Sequence, residues 1–444
     1  MNVAFEETLN WILDECGSFN LYMFHGGTNF GFMNGANETT GPNNETKEAY
    51  ASDVTSYDMQ QLYLKQIIWC RQREDGESTE NEVGDSTTRE NYNAPLSESG
   101  QMTEKYFSVK KILKERGLLK SELKMTEYMS LDNALQYVQV VINGVFSDEY
   151  DYDASHSIES ERMMMMEELP INNNGGQGYG FILYQCQIEE AVQRIQIQGK
   201  VKDRAIVILN GKEISTVDRR WENYCLNVNS DQKRNVLQVL VENLGRVNYA
   251  LYGDDVMNQQ RKGVRDVLVN GEKVKKWTIY PLEFKESFIE ALKSSSAWQP
   301  YDERVKTSGP CLFRTFLNLS PAGDARDKPR DTFMHMKGWT KGSAFINDFN
   351  LGRYWNIGPQ NTLYIPGPLI EYGPNQITLF ELHGGCGRVN LLAEGDLGAE
   401  EIHKEILPLS AQTQLFLLRN TLKMGSWKYV NRFINHTSLY CWSL

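Results

Sequence analysis

The chain has 444 residues, a formal net charge of −12 and 41% hydrophobic residues. This length allows roughly two to four domains, and the composition is typical of a globular protein rather than a disordered one. Because basic residues do not cluster, the acidic balance argues against a nucleic-acid partner, and no apolar run of about 18 residues predicts a transmembrane helix.

The first part of the chain predicts two helices around a short buried strand. Residues 5–16 form an amphipathic pattern with a helical period. The apolar run at 19–24 predicts a buried strand that ends in a glycine-rich turn at 25–29. A second amphipathic helix is predicted over 103–116, and Gly117 is placed to end it. Helix, buried strand and glycine-rich loop in this order are typical of an α/β barrel.

Three later stretches lack the pattern of a core-forming segment. Residues 71–91 are rich in Glu, Asp, Ser and Thr and predict an exposed insertion. Residues 119–168 are interpreted as a linker, which includes the methionine run at 163–166. A methionine run is able to form a soft binding surface, but the lack of periodicity around this one favours the linker. The final segment, 386–444, loses strand alternation and predicts at most one helix.

The chain beyond the linker predicts an all-β structure. Short runs rich in β-branched residues alternate with turn signals, and Asn-Gly pairs at 210–211 and 270–271 predict hairpin turns. A helical pattern at 284–293 separates two groups of strands. These groups predict two β-sandwich domains, at 169–285 and 286–385.

The residues that commonly bind metals or carry modifications give few signals. Seven cysteines form no C-x-x-C pair, so the sequence predicts no zinc or dithiol site and no cofactor. Acidic residues occupy the N-terminus where a secretion signal needs a basic start, so no signal peptide is expected in the chain as written. Asn37, Asn44 and Asn318 begin sequons and are candidates for N-glycosylation.

Several long segments resemble those of one enzyme family, in the same order. They include NLYMFHGGTNFGFMNGAN at 20–37, VTSYD at 54–58 and YNAPLSESG at 92–100. In the β-rich part, VLVENLGRVNY at 239–249 and FINDFNLGRYWNIGPQNTLYIPGP at 345–368 also match. These motifs are similar to those of glycoside hydrolase family 35, the β-galactosidases, and within it to the β-galactosidase-1-like proteins. The family runs the second and third motifs together, whereas an insertion separates them here.

The resemblance implies a fold of the α/β plus all-β class. Residues 1–118 would be the remnant of a (β/α)₈ TIM barrel, its last helix, strand and helix, with an insertion at 59–91. The linker at 119–168 would follow, and then the two β-sandwich domains, the second a galactose-binding-like jelly roll. Residues 386–444 would form an atypical tail. A single barrel strand leaves its hydrogen-bonding groups unpaired, so residues 1–118 are expected to pack poorly or to lean on the β-domains.

The resemblance also implies an activity, the retaining hydrolysis of terminal β-galactosides. Retention needs two carboxyl groups about 5–5.5 Å apart, and the family supplies them as glutamates. The motifs that would carry them are absent from this sequence, so no catalytic residue is assigned and the chain alone is expected to be inactive. Tyr22, Tyr57 and Tyr92 match family tyrosines that line the galactose site, whereas His25 is interpreted as structural.

The expected partners are β-galactoside sugars or glycans, without nucleic acid or a membrane span, and the sequence predicts no oligomeric state. The family implies a secreted or lysosomal location. Two alternatives to the hydrolase remain open: a non-catalytic carbohydrate-binding β-sandwich protein, and an inactive splice or gene-model fragment. Binding of galactose by the chain would separate these two alternatives.

Overall fold

The structure, a computed structural model, describes most of the chain outside the predicted insertion and tail. The described residues are 2–15, 18–21, 23–39, 49–53, 55–57, 94–119, 138–141, 144–146, 157–249, 260–295, 298–301, 309–321, 328–357 and 360–396. They form mainly β-sheet, with α-helices at Asn2–Asp14 (α1), Glu104–Glu115 (α2) and Glu286–Ser294 (α3). All three lie at or close to the predicted helical patterns.

The strands are, in chain order, Gly35–Thr39 (β1), Ala49–Ser52 (β2), Val138–Val141 (β3), Gly144–Phe146 (β4), Ile158–Ser160 (β5), Phe181–Ile188 (β6), Val192–Gln198 (β7), Arg204–Leu209 (β8), Lys212–Asp218 (β9), Cys225–Ser230 (β10), Asn235–Glu242 (β11), Arg246–Tyr249 (β12), Asp266–Val269 (β13), Glu272–Lys273 (β14), Trp277–Leu282 (β15), Trp298–Gln299 (β16), Cys311–Leu319 (β17), Thr332–His335 (β18), Lys341–Ile346 (β19), Phe349–Trp355 (β20), Thr362–Ile365 (β21), Gly373–Glu381 (β22) and Arg388–Leu392 (β23).

Two sheets form the first β-domain. A six-stranded sheet of order β5-β15-β6-β11-β8-β9 and a four-stranded sheet of order β10-β7-β13-β14 enclose one hydrophobic core, whose largest members are Tyr184 and Trp277. Both predicted hairpins are confirmed. Asn210 and Gly211 have φ of 53° and 75°, and positive φ at both central residues is the conformation that an Asn-Gly turn favours.

The second β-domain has the same two-sheet construction. A six-stranded sheet of order β16-β4-β17-β22-β19-β20 faces a four-stranded sheet of order β21-β18-β23-β3. Their shared core includes Phe313, Met334 and Trp339. The last strand, β23, reaches beyond residue 385, so the domain extends into the segment that the sequence assigned to the tail; residues 397–444 lie outside the described residues.

The interpretation of 119–168 as a linker is wrong for its described residues. β3 and β4 belong to the second β-domain, and β5 pairs with β15 in the first. The methionine run is also structural, because Met163 and Met166 are buried in the core of the first β-domain. Short strands whose partners lie far away in sequence leave no local periodicity, which is why the pattern missed them.

A third hydrophobic core joins the two β-domains. The outer faces of the six-stranded sheets and one side of α3 enclose it. Its aromatic centre contains Phe284, which lies 4.9 Å from Phe380 between ring centroids, and Phe181, which lies 5.1 Å from Phe380. Ile289 and Leu292 of α3 complete the cluster. Each β-domain therefore has a core of its own, and the two domains also share a third.

The N-terminal region divides into two parts with different packing. α1 and α2 pack on each other through a small cluster around Leu9, Val109 and Ile112. Residues 18–21 and 23–24 form no strand, so the strand predicted at 19–24 is wrong in its described part. In contrast, β1 lies between β2 and β12 and pairs in parallel with β12 of the first β-domain.

Candidate functional site

The glycine-rich turn that follows Phe24 lies against two other motif segments. The backbone N–H of Tyr57 donates to the Gly27 carbonyl at 2.9 Å, and that of Leu96 donates to the Phe24 carbonyl at 3.0 Å. Gly27 has φ of +78°, a conformation that glycine adopts without steric cost. The motifs at 20–37, 54–58 and 92–100, which are separate in the sequence, are thus adjacent in their described parts. We call residues 23–31, 55–57 and 94–98 the site loops.

Polar side chains hold the site loops together. Thr28 Oγ1 donates to Glu98 Oε1 at 2.6 Å, and His25 Nε2 lies 3.2 Å from the Glu98 carbonyl oxygen. Glu98 is buried, and a buried carboxylate is stable only where polar groups surround it. Its contact with Thr28 makes Glu98 a brace for the turn, and the contact of His25 agrees with the structural role assigned to that histidine.

The structure places only one of the three predicted sugar-lining tyrosines. Tyr57 is half-buried in the site loops, next to the glycine-rich turn. Tyr22 and Tyr92 lie outside the described residues, and so does the sequon residue Asn44. Of the other sequon residues, Asn37 is half-buried in β1 and Asn318 is exposed on β17. The role of the tyrosines and the glycosylation therefore stay predictions.

The second β-domain holds the segment 55–57 through side chains that the sequence did not single out. Thr55 Oγ1 accepts from the Arg353 backbone N–H at 2.9 Å and donates to the Arg353 carbonyl at 2.9 Å. The Ser56 N–H donates to Gln360 Oε1 at 2.7 Å. Arg353 also donates to Asn34 Oδ1. We call the contacts of Thr55 and Ser56 with Arg353 and Gln360 the domain clamp.

The first β-domain contains a cluster of buried charges. Asp203 accepts from Lys262 Nζ at 2.7 Å and from Arg219 Nη1 at 2.9 Å, and the side chains of Asp203 and Lys262 are 0% exposed. Tyr50 of β2 donates to the Gly245 carbonyl at 2.7 Å, and the Arg219 guanidinium lies 3.9 Å from its ring centroid. Burial lowers the pKa of Lys262 to about 8, although Asp203 opposes that shift.

A second buried cluster connects the two β-domains. Glu242 Oε1 of β11 lies 2.7 Å from Lys341 Nζ and 3.1 Å from Arg353 Nε. Burial alone would raise the pKa of Glu242, but the charges of Lys341 and Arg353 outweigh burial and lower it. Burial also lowers the pKa of Lys341 to about 8. Such groups are costly to bury unless they are paired, so both clusters fix the relative position of the elements that carry them.

A second polar contact between the β-domains includes a histidine. His383 Nδ1 lies 2.8 Å from Glu213 Oε2, and its Nε2 lies 2.6 Å from Arg204 Nη2. An arginine only donates hydrogen bonds, so Nε2 must accept and Nδ1–H must donate to Glu213.

The described residues give no sign of a metal site or a membrane span. Within the described ranges, no three His, Cys, Asp or Glu side chains come close enough to bind an ion. The helices among these residues are too short or too polar to cross a bilayer.

Comparison with known proteins identifies the class of protein. Residues 2–63 match the family model of the glycosyl hydrolases of family 35. Residues 164–283 match the first all-beta domain of beta-galactosidase, and residues 310–375 match its galactose-binding domain. The chain therefore belongs to glycoside hydrolase family 35, the family of the β-galactosidases.

Individual relatives show which members of the family this chain is similar to. Human beta-galactosidase-1-like protein 2 is 33% identical over 84% of this chain and 49% of its own length. The rat beta-galactosidase-1-like protein 3 is 33% identical over 82% of this chain and 48% of that protein. A beta-galactosidase of Pongo abelii is 31% identical over 85% of this chain and 49% of that protein. The chain thus spans about half the length of the curated relatives it matches.

Solved structures add little to these matches. A Pleurotus ostreatus lectin in complex with GalNAc covers 58% of this chain with 12% identity and a TM-score of 0.18. A likeness at this level does not bear on the function of the chain.

Proposed function

We propose that this chain is part of a retaining β-galactoside hydrolase and that its site loops form one wall of the sugar site. The observation that carries the proposal is the pairing of Tyr57 with Gly27 in the site loops. A tyrosine ring can pack on a sugar face while its hydroxyl group forms a hydrogen bond. Tyr57 would therefore contact galactose, and Tyr22 and Tyr92 would complete the same wall.

We infer that α1, the site loops and α2 form the last part of a (β/α)₈ barrel. The match of residues 2–63 to family 35 supports this, as does the packing of α1 against α2. Barrel enzymes carry their sites on the loops that follow the strands, and the glycine-rich turn would be such a loop where neighbouring barrel strands let residues 19–24 form a strand. Glu98 braces this turn and is not proposed as one of the two reacting carboxylates.

The test uses the protein isolated from its natural source, with its ends mapped by mass spectrometry of its peptides. We expect hydrolysis of 4-nitrophenyl β-galactoside but not of the α-anomer, and NMR should show the β-anomer as the first product. Tyr57→Phe, introduced into a recombinant protein with the mapped ends, should raise KM, because it removes a hydroxyl group that would contact the sugar in the ground state. Hydrolysis with inversion, or activity equal on both anomers, would contradict the proposal.

A non-catalytic carbohydrate-binding protein is the second candidate. The observation in its favour is that each β-domain has a core of its own, so the domains need no complete barrel to be stable. Calorimetric titration of this chain with galactose and with glucose would test it. Galactose binding by a natural protein that hydrolyses no β-galactoside would favour this candidate over the hydrolase.

A further inference from the structure

We propose that Gln360 of the second β-domain is a positioning residue for the sugar site, and that it acts on Tyr57 through the backbone of Ser56. This inference rests on the proposed function, in which Tyr57 contacts the sugar. It assigns to the second β-domain a part in the geometry of a site that this domain does not itself form. Thr55 and Arg353 contribute to the same clamp.

The geometry of Gln360 favours a single orientation of its amide group. Gln360 is buried, its Nε2 donates to the Thr362 carbonyl, and its Oε1 accepts from the Ser56 N–H at 2.7 Å. A flipped amide would direct Nε2 at another donor and Oε1 at another acceptor. The Ser56 amide is therefore held at a fixed point relative to β21.

The residue on each side of Ser56 is also fixed. Thr55 exchanges two hydrogen bonds with the backbone of Arg353. The Thr55 carbonyl accepts from the Asn29 N–H at 2.7 Å, and the Tyr57 N–H donates to the Gly27 carbonyl at 2.9 Å. The segment 55–57 thus lies between the second β-domain on one side and the glycine-rich turn on the other.

Close packing makes the clamp stiff as well as polar. Gly352 precedes Arg353 and has φ of +120°, and a Cβ added to it would lie 2.4 Å from Thr55 Cγ2. The methyl group of Thr55 therefore lies directly on the backbone of β20. Thr55, Ser56 and Tyr57 are consecutive residues. A shift of Ser56 therefore moves the Tyr57 backbone with it.

The test compares Gln360→Met with Gln376→Met. Methionine is close in size to glutamine but forms neither hydrogen bond. Gln376 is a matched control, because it is also buried in the second β-domain and its amide donates to Thr378 Oγ1 of the same strand at 2.9 Å, outside the domain clamp. Two measurements are made on the whole protein, as wild type and as each variant: hydrogen exchange of a peptide that contains Ser56 and Tyr57, and the kinetics of 4-nitrophenyl β-galactoside hydrolysis.

We expect Gln360→Met to speed exchange in this peptide and to raise KM about three- to tenfold while kcat changes less, as the loss of a ground-state contact requires. Gln376→Met should change neither. If Gln360→Met does not fold, Thr55→Val tests the same clamp from the other side and should raise KM likewise. An unchanged KM in a folded clamp variant, or an equal rise in Gln376→Met, would overturn the proposal.

The two proposals fail in different ways. A wild-type protein without activity on the β-galactoside would contradict the proposed function, whereas the exchange measurement would still decide whether Gln360 holds Ser56. Unchanged exchange in Gln360→Met would overturn the positioning role even if the wild-type enzyme is active.

Discussion

At the scale of single residues, substitutions of the buried charges are expected to differ most in their effect on the free energy of unfolding. Asp203 lies between Lys262 and Arg219, and the side chains of Asp203 and Lys262 are completely buried. Removing the anion leaves two cations without their common partner, whereas removing one cation leaves a balanced pair. The consequence of a substitution here therefore depends on the sign of the charge removed.

We predict that Asp203→Asn lowers the free energy of unfolding by about 3–5 kcal/mol, because it leaves uncompensated buried charge. Lys262→Met should cost about 1–3 kcal/mol, since it removes a hydrogen-bond donor from the Gly245 carbonyl but leaves Asp203 paired with Arg219. Unfolding in urea measures both. The exposed pair of Arg234 and Glu189 supplies the control, and Glu189→Gln should have no measurable effect. A larger loss in Lys262→Met than in Asp203→Asn would contradict this account.

The contact of His383 with Glu213 predicts a dependence of stability on acid pH. Burial by itself raises the pKa of Glu213, but the hydrogen bonds that His383 and Thr216 donate and the charge of Arg204 outweigh burial and leave the pKa below its ordinary value of 4.5. A carboxyl group with a lowered pKa in the folded state stabilises the fold above the ordinary pKa, and this stabilisation is lost as the pH falls through the lowered value.

We therefore expect Glu213→Gln to be less stable than wild type at neutral pH and to lose less stability below pH 4.5. Urea unfolding at a series of pH values gives both slopes. Glu159→Gln, in which an exposed partner of Thr278 is changed, serves as the control. Parallel curves for wild type and Glu213→Gln would show that this carboxylate has the same pKa in the folded and unfolded protein.

At the scale of elements, the local patterns located helices and hairpins but not the pairing of distant segments. The amphipathic periods predicted α1 and α2, and Asn210-Gly211 predicted the β8–β9 turn because its signal lies in two adjacent residues. β3 and β4 precede the strands β6 to β15 of the first β-domain in the chain, but they pair with strands of the second β-domain, which follows. No local period indicates so distant a partner.

In the candidate site, too, the sequence indicated local segments but not the contacts between distant residues. The family resemblance assigned Tyr22, Tyr57 and Tyr92 to one sugar site, and of these Tyr57 lies next to the glycine-rich turn. The contact of Ser56 with Gln360 joins residues 304 positions apart, and a single glutamine in a loop before β21 carries no local signal. The strand predicted at 19–24 failed because a strand needs neighbours to satisfy its backbone groups.

The difference in packing between the helix pair and β1 predicts a difference in local stability. α1 and α2 share a small cluster, and Trp11 and Phe107 on their surfaces are 65% and 56% exposed. β1 is paired on both edges and lies next to the buried charges. Native-state hydrogen exchange of this chain should therefore show α1 and α2 exchanging faster than β1 and β12. Equal protection of α1 and β1 would mean that the helices are held by contacts that the described residues do not contain.

At the scale of the whole molecule, the third core makes one unit of the two β-domains. A junction between domains that is large and apolar opposes independent motion, and here α3 and aromatic residues from both six-stranded sheets fill it. The charge cluster of Glu242 with Lys341 and Arg353 crosses the same junction. The clamp on residues 55–57 is therefore supported by the first β-domain as well as by the second, which carries it.

This coupling predicts that the two β-domains unfold together in wild type and separately once the third core is damaged. Phe380→Ala should lower the free energy of unfolding by about 3–5 kcal/mol, because it removes the contacts with Phe181 and Phe284. Hydrogen exchange at increasing urea concentration can follow β11 for the first β-domain and β18 for the second. In wild type both strands should lose protection at the same urea concentration, whereas in Phe380→Ala their midpoints should separate.

Leu363→Ala is the matched control, because Leu363 is fully buried in the core of the second β-domain alone. It should cost about 2–5 kcal/mol while the midpoints of β11 and β18 stay together, since the third core is intact. Separate midpoints in wild type would mean that the third core does not couple the domains. Coincident midpoints in Phe380→Ala would assign the coupling to Glu242, Lys341 and Arg353 instead. In that case Lys341→Met, which removes a charge that crosses the junction, should be the substitution that separates the two transitions.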